Sequence, residues 1–527
     1  MKTNSPENEW AAARRGTGGR VSTDGFLVRV QPLQPSEPEP VRATEDAAVN
    51  SPVQPAMNRQ DFPLPRYQAP KRPKRIVQRR RVLKRALLQA VVLSLVLVVG
   101  LGGFFSWKAY AKLHKVFRGT STVAALSAKP VAPNLLDGEG DGRVNILLLG
   151  VGGAGHEGPD LTDTIVVLSV DPVNKTAAFL SVPRDLWVKQ PVNYFGSYQK
   201  INAAYESGKY KYLGKMDQSN TNDAAVEAGF ASIDSALKDV LGIKINYHLL
   251  VDFQAFRQAI DTVGGVTVDV KDQLYDPTMA WENNGNPVLA AVGVQQMDGK
   301  KALLYARSRE TSSDFARSER QRQILLALKD KVLTAGTLSN PAKIDGLMDA
   351  FGDNVFSDLS TQGAQRLYEI VKGIDDTKIA SIGLSEPPNS LVTTDHVGNT
   401  SVVRPRAGFN NYTDIQNYVH AQLADGYILK EKAGVMVLAP TKASADTEAA
   451  QLKTYGYVVT GTGATPTPGF GKPVVVDLSG GKNPYTQNYL ENRFGVKAVR
   501  ALPSGVVLPP SSAQAQPEAK FVIIMPK

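Results

Sequence analysis

Four arginines fall within fourteen residues of one another in "LLYARSRETSSDFARSER", at positions 307, 309, 317 and 320. A guanidinium is a planar fork that binds two phosphate oxygens at once, so such a cluster suits a polyanion. If "LLYARSR" is extended, Arg307 and Arg309 project to one face, because strand side chains repeat every two residues. If a helix follows Asp314, then Arg317, Arg320, Gln321 and Ile324 share a face at i, i+3, i+4 and i+7. A solvated charged surface is the plain alternative. Three further polar sites adjoin apolar runs. Asp163 sits in "LTDT" just before "IVVLSV". In "SVPRD", Arg184 and Asp185 end the run "AAFLSV", and strand ends are where α/β sheets bind ligands; a surface salt bridge is the competing reading. Lys200, in "QKINAAYESG", is by itself an ordinary solvated lysine.

The run "NILLLGVGGAGHEGPDLTDTIVVLSV" contains Gly150-x-Gly152-x-x-Gly155. A dinucleotide loop needs a helix opening at its last glycine so that the helix N-terminus faces the pyrophosphate. Only "HEGPDLTD" separates Gly155 from the next apolar run, and eight residues with Gly158 and Pro159 among them cannot make a crossover helix. The sequence therefore predicts a loop between two strands and excludes this use of the glycines.

The elements that must position these groups lie behind an N-terminal region of different composition. Segment 71–85, "KRPKRIVQRRRVLKR", carries nine Lys/Arg and no acid, so of the net charge of +10 the rest of the chain holds 10 − 9 = +1. The basicity is local, which removes the main support for nucleic-acid binding by the body of the protein. Residues 86–107 follow with 22 uncharged residues, enough to cross a hydrocarbon core of roughly 30 Å as a helix. The basic flank predicts a single-pass anchor in the cell membrane, with the N-terminus cytoplasmic and everything after Trp107 extracytoplasmic. Ten prolines and no sustained apolar period predict a disordered cytoplasmic tail over 1–70. The chain has no cysteine, which accords with an exported protein that does not rely on disulfides. Residues 108–142 read as a short helix running into a spacer.

From 143 to about 425 the pattern is mixed. Strands are expected at 144–149, 164–170 and 176–182, and helices at 222–242, 253–265, 318–336 and 361–374. The fold class is α/β: a layered α/β/α ectodomain with a mixed central sheet, preceded by one transmembrane helix and followed by a small second α/β domain. That second domain, 432–527, reads as β-α-β-α-β with no catalytic cluster, which suits binding or support. The five histidines (114, 156, 248, 396 and 420) show no ligand spacing, which argues against zinc.

In order, "NILLLG", "TDTIVVLSVDP", "SVPRD", "KINAAYESG", "VDFQAFRQAIDTVGGVTVDV", "MDGKKALLYARSR" and "DFARSERQRQILLAL" strongly resemble the LytR-CpsA-Psr family of cell-wall glycopolymer transferases. Residues from 432 onward resemble the LytR C-terminal domain. The resemblance implies a membrane-anchored phosphotransferase that moves a glycopolymer from a polyprenyl (undecaprenyl) pyrophosphate carrier onto a sugar hydroxyl of peptidoglycan, with Mg²⁺ as cofactor. By motif match, Asp163 contributes to the metal site, and Arg184, Arg307, Arg309, Arg317 and Gln321 contact the pyrophosphate, with Lys200 beside them. Arg307 and Arg309 would also act in catalysis, and Asp314 either orients an arginine or serves as base. The expected partners are the lipid-linked glycan, peptidoglycan and the bilayer, with no nucleic acid.

Two positions depart from the family pattern: Gly152 stands where an Asp is usual, and Leu161 where an Arg is usual. Asp160, Glu157 or His156 are the local substitutes, and the backbone N–H groups of the glycine loop are candidates for a phosphate-binding nest. The rival readings are a non-catalytic polyprenyl-phosphate or wall-polymer binding protein of the same fold, a polyprenyl-pyrophosphate hydrolase, and a regulator acting through the tail. The tail shows no folded DNA-binding pattern.

Overall fold

The computed structural model describes residues 116–527, apart from 121, 128–129, 218–221, 309–313, 334–345, 347–348, 350, 353, 386–389, 466–469 and 509–517. The tail, the basic segment, the expected span at 86–107 and Arg309 lie outside the described residues. Among the described residues no helix is long and apolar enough to cross a membrane.

The central sheet is built from Val144–Val151 (β1), Thr162–Asp171 (β2), Thr176–Ser181 (β3), Tyr247–Asp252 (β4), Val355–Ser357 (β5) and Ile379–Gly383 (β6), in the order β5-β4-β1-β2-β3-β6. The pairs β1/β4 and β3/β6 are parallel and the other pairs antiparallel, so the sheet is mixed as expected. β1 is apolar on both faces because both are covered. Leu147, Leu149 and Val151 enter one core and Val144 and Ile146 the other. The first core is closed by Ala203–Leu213 (α1), Asp223–Leu241 (α2) and, from later in the chain, Thr413–Gln422 (α7). The second is closed by Thr361–Lys372 (α6) and the turn Ala124–Leu126. α2 starts where the sequence says: Asn222 accepts from Ala225 N at 3.1 Å, and Gly242 ends the helix with φ 70°.

Between α2 and α6 lies a lobe with its own core, formed by Phe253–Thr262 (α3), Gly299–Arg307 (α4), Asp314–Leu333 (α5) and the antiparallel pair Val266–Val270 and Gly293–Met297. Here the condition that "LLYARSR" be extended is not met: its first five residues finish α4, which Asp298 caps by accepting from Lys301 N at 2.7 Å. The physical reason is that Ala302 to Ala306 are buried all round, so a helix and a buried strand leave the same apolar run. Arg307 therefore lies in the last helical turn rather than on a strand face.

The C-terminal sheet comprises Gly434–Ala439 (β7), Val458–Ala464 (β8), Val474–Asp477 (β9) and Ala519–Ile524 (β10) in the order β8-β7-β10-β9, with Gly426–Glu431 (α8), Lys442–Thr454 (α9) and Pro484–Phe494 (α10). β8 was absent from the expected β-α-β-α-β order because its "TGTGA" half hides a strand in glycine and small polar residues. The stretch expected as a spacer is also part of this fold: Val131 and Leu136 are buried in the core with Val435, Val437, Leu452 and Phe521. The described residues belong to one compact unit.

Candidate active site

One end of the central sheet collects the chemistry. The parallel and antiparallel pairings place there the last residues of β1, β3, β4 and β6 and the first of β2 and β5. Backbone hydrogen bonds lace three segments together at that edge. Thr162 N and Thr162 Oγ1 both donate to Asn202 O, at 3.2 and 3.1 Å, and Asn202 N donates to Arg184 O at 3.2 Å. Ile201 N donates to Leu186 O at 2.7 Å, and the short strands Trp187–Lys189 and Tyr198–Lys200 pair beside it. The motifs "LTDT", "SVPRD" and "KINAAY" are thus fixed against one another by main chain, whatever their side chains do.

Their side chains meet around a cavity of about 790 Å³. Arg184 Nη1 donates to Asp163 Oδ1 in a short ion pair, and its Nε lies 3.7 Å from Asp185. Lys200 Nζ is 2.8 Å from the other oxygen of Asp185. Lys200, the weakest sequence candidate, is accordingly placed as firmly as Arg184. Arg307 and Gln321 reach the same edge along a second line. Gln321 Nε2 donates to Thr164 Oγ1 and to Ala306 O, both at 3.3 Å. Arg307 donates to Glu282 at 3.0 Å and lies 4.5 Å over the ring of Phe253, the residue following β4; Phe253 in turn packs edge-on against His156 of the glycine loop at 5.2 Å. Arg317 is buried on α5, one turn before Gln321. None of Arg307, Arg317 and Gln321 is among the walls of the Arg184 cavity. Asp314 opens α5, its side chain outside the description along with Arg309.

Two sequence readings are corrected here. Arg320, on the expected anion-binding face, is buried and spends its fork on the carbonyls that end α4, with Nε donating to Tyr305 O at 2.9 Å and Nη2 to Ser308 O. Asp160 is not a substitute metal ligand. It is 1% exposed, accepts from Lys209 Nζ at 2.9 Å on each oxygen and from Tyr210 Oη at 2.6 Å, and so ties the glycine loop to α1. The loop also uses its own donors: Gly153 N donates to Pro159 O at 3.0 Å and His156 N to Gly153 O at 3.2 Å, which removes both from any nest. No helix separates Gly155 from β2, and β2 runs antiparallel to β1, so the dinucleotide reading is excluded by topology too.

Sequence reasoning passed over the Asp160–Lys209–Tyr210 cluster, because an acid and a lysine 49 residues apart carry no local signal. It also passed over Glu206. Of residues 201–210 only Glu206 keeps partial exposure, and it faces the same cavity as Asp163, Arg184 and Lys200. Burial first, then the charge of Asp160, push its carboxyl up to about 7 against the pull of Lys209.

Among the described residues no group of three His, Cys, Asp or Glu side chains is arranged to hold a metal ion. Asp163 is a hard oxygen donor on an accessible cavity wall, but Arg184 already engages it. The donor set therefore fits Mg²⁺ only in company with phosphate oxygens, which is the sparse protein ligation that Mg²⁺ commonly accepts.

The chain matches the LytR_cpsA_psr family over residues 108–409. It is 31% identical over 312 residues to the polyisoprenyl-teichoic acid–peptidoglycan teichoic acid transferase TagV of Bacillus subtilis, an alignment that covers 58% of this chain and 71% of that protein. It is 25% identical over 301 residues to TagT of the same organism, covering 56% and 85%. The cell wall biosynthesis protein LcpA of Corynebacterium glutamicum is 33% identical over 215 residues, covering 39% of each chain. With more than half of its length matched and its motifs gathered at one sheet edge, the chain belongs to the LytR_cpsA_psr family.

Proposed function

We propose that this protein is a membrane-anchored glycosyl-phosphate transferase. It takes a glycopolymer from a polyprenyl pyrophosphate carrier and joins it to a sugar hydroxyl of peptidoglycan, releasing polyprenyl phosphate. The observation that carries this reading is the convergence of Asp163, Arg184, Asp185 and Lys200 on one cavity at the ligand-binding edge of the sheet. The names of TagV and TagT, transferases of teichoic acid from a polyisoprenyl carrier to peptidoglycan, support the same chemistry. The uncharged stretch 86–107 behind a basic flank supports an anchor that keeps the cavity near a lipid donor.

The residues divide the work by charge. Arg184 and Lys200 are held at the cavity by carboxylates of this chain, so an incoming pyrophosphate exchanges one set of anions for another at little cost in desolvation. Once phosphate oxygens take the Arg184 fork, Asp163 is released toward the ligand. It is the residue that would hold Mg²⁺, which supplies neutralisation of charge on the phosphate oxygens. Arg307, Arg317 and Gln321 add donors along that edge, and the family pattern assigns Arg309 to the pyrophosphate as well and Asp314 to orienting an arginine or to proton transfer. Catalysis is then mostly positioning and electrostatic stabilisation, as in phosphoryl transfer generally.

The test is mass spectrometry of the full-length chain in nanodiscs with a polyprenyl-pyrophosphate glycan and a peptidoglycan fragment, with and without Mg²⁺. The expected result is a Mg²⁺-dependent mass increase on the fragment equal to the glycosyl phosphate. Lipid bound without product would instead mark a binding protein, as the Gly152 and Leu161 departures would allow. Release of glycosyl phosphate to water would mark a hydrolase.

A further inference from the structure

We propose that Glu206 is the general base of the transfer, taking the proton from the acceptor hydroxyl; the inference rests on the transferase reading above. Three observations converge on it. Glu206 lines the cavity that Asp163, Arg184 and Lys200 share. It is the only residue between 201 and 210 that is not buried, so the cavity is the direction in which its side chain opens. Among the described residues it makes no hydrogen bond and no ion pair, whereas Asp163, Asp185 and Asp160 are each held by a cation. A half-buried carboxylate on the wall of that cavity, held by no cation through a hydrogen bond or ion pair, is left to act on what the cavity binds.

The other carboxylates around the cavity are placed differently. Asp160 is sealed under Lys209 and Tyr210, Asp163 and Asp185 are paired to the cations that meet the substrate, and Glu157 is exposed on the glycine loop rather than set into the wall. The charged groups that face Glu206 are Asp160 from the glycine loop, Lys209 from its own helix, and Glu157, Asp163, Arg184, Asp185 and Lys200 around the cavity. Its carboxyl, pushed up to about 7, is poised where a base both accepts a proton readily and is deprotonated at working pH.

The step balances. The acceptor O–H bond breaks as its oxygen bonds to the phosphorus that carries the glycan, and the proton passes to Glu206. The bond from that phosphorus to the bridging oxygen breaks, and polyprenyl phosphate leaves with the electron pair. The protonated carboxyl then returns its proton to solvent through the cavity mouth.

The experiment compares full-length wild type, Glu206→Gln and Glu206→Asp in nanodiscs, with transfer to a peptidoglycan fragment followed from pH 5.5 to 9 at several Mg²⁺ concentrations. Wild-type kcat is expected to rise with pH through about 7, since the base acts deprotonated. Glu206→Gln is expected to lower kcat by about 10² to 10⁴-fold, to abolish that rise and to leave the KM for the lipid donor unchanged; Glu206→Asp should restore part of both. Thermal melting of each variant establishes that it is folded. If folded Glu206→Gln keeps wild-type kcat and pH profile, the proposal is overturned. It is equally overturned if the variant only shifts the Mg²⁺ dependence, which would make Glu206 a metal ligand. If wild type itself transfers nothing, it is the transferase reading that fails.

Discussion

Arg184 carries two relationships at once, a short ion pair to Asp163 and a longer contact to Asp185, and this makes it the most informative single residue of the site. Replacing it by Ala should weaken binding of a pyrophosphate-linked glycan by about 1.5 to 3 kcal/mol, the scale of a hydrogen bond to a charged group, while Arg184→Lys should recover only part because the fork is lost. Calorimetric titration measures this, and equal affinities for the three proteins would return Arg184 to a surface salt bridge. The buried pair below it behaves differently. Asp160 and Lys209 are almost fully buried, so Lys209→Met leaves an uncompensated carboxylate and should cost about 3 to 5 kcal/mol in urea unfolding. Combining it with Asp160→Asn should recover much of that loss, since the unpaired charge is gone. Glu206 also has a stability signature. Its folded-state pKa, about 7, is above the ordinary value of 4.5, so folding binds the proton and this contribution fades as pH rises from 4.5 through 7. Glu206→Gln should therefore melt higher than wild type at pH 8.

Among the elements, β4 is one that a local reading passes over, and yet it lies between β1 and β5 and carries a histidine held on both ring nitrogens. His248 Nδ1 meets Asp358 at 2.6 Å and Nε2 meets Asp234 of α2 at 2.9 Å, with its ring stacked on Phe230 at 4.3 Å. Burial by itself would lower the imidazolium's pKa; the two carboxylates outweigh it and raise it to about 9. The clamp therefore ties α2 to β4 and to the residue following β5 as a charged group at neutral pH. A folded pKa of about 9 against 6.5 means that the contribution is full below pH 6.5 and is lost as pH rises through 9. Urea midpoints of wild type should fall between pH 7 and 10, and those of His248→Gln should be lower at pH 7 and flatter over the range. Parallel slopes for the two proteins would remove the clamp from the account of stability.

At the scale of the whole molecule, a buried carboxylate and the stretch before β1 help couple the C-terminal sheet to the central one, beside the stacking of His420 on Tyr455 at 4.4 Å and the bond from Asn174 Nδ2 to Gly426 O at 3.0 Å. Asp425 accepts from Gly140 N at 3.0 Å, Gly142 N at 2.9 Å, Tyr427 N at 2.8 Å and Tyr489 Oη at 3.0 Å. Arg143, which donates to Ser169 Oγ at 2.8 Å on β2 and to Ala424 O at 3.3 Å, continues the link into the central sheet. Glu431 of α8 accepts from Tyr485 N and Thr486 N at the start of α10, a carboxylate where the helix dipole favours one. Leu136→Ala removes a side chain 1% exposed from the C-terminal core and should cost about 2 to 5 kcal/mol. Because that cost falls on one sheet, calorimetry of Leu136→Ala or Asp425→Ala should show an early transition separating from the main one. A single transition merely shifted downward would mean that the two sheets unfold together regardless of this link.

Local sequence determined the elements whose signal is short-ranged: the continuous apolar run of β1, the Asn222 and Gly242 limits of α2, the impossibility of a helix in "HEGPDLTD", and the mixed α/β class. The resemblance in motif order also pointed to Asp163, Arg184, Lys200 and Gln321, of which Asp163 and Arg184 adjoin apolar strands of the central sheet. What the sequence left open was settled by partners distant along the chain. The "LLYAR" part of "LLYARSR" finishes a helix although its all-round burial left a strand equally open, Arg320 became structural because the end of α4 offers it carbonyls, and Asp160 was removed from the site by Lys209. Leu136 and Asp425 likewise acquire their roles from contacts hundreds of residues away. A side chain's charge and shape are properties of its residue, but whether that charge is spent on the fold or left facing a cavity depends on which distant groups packing brings within a few ångströms.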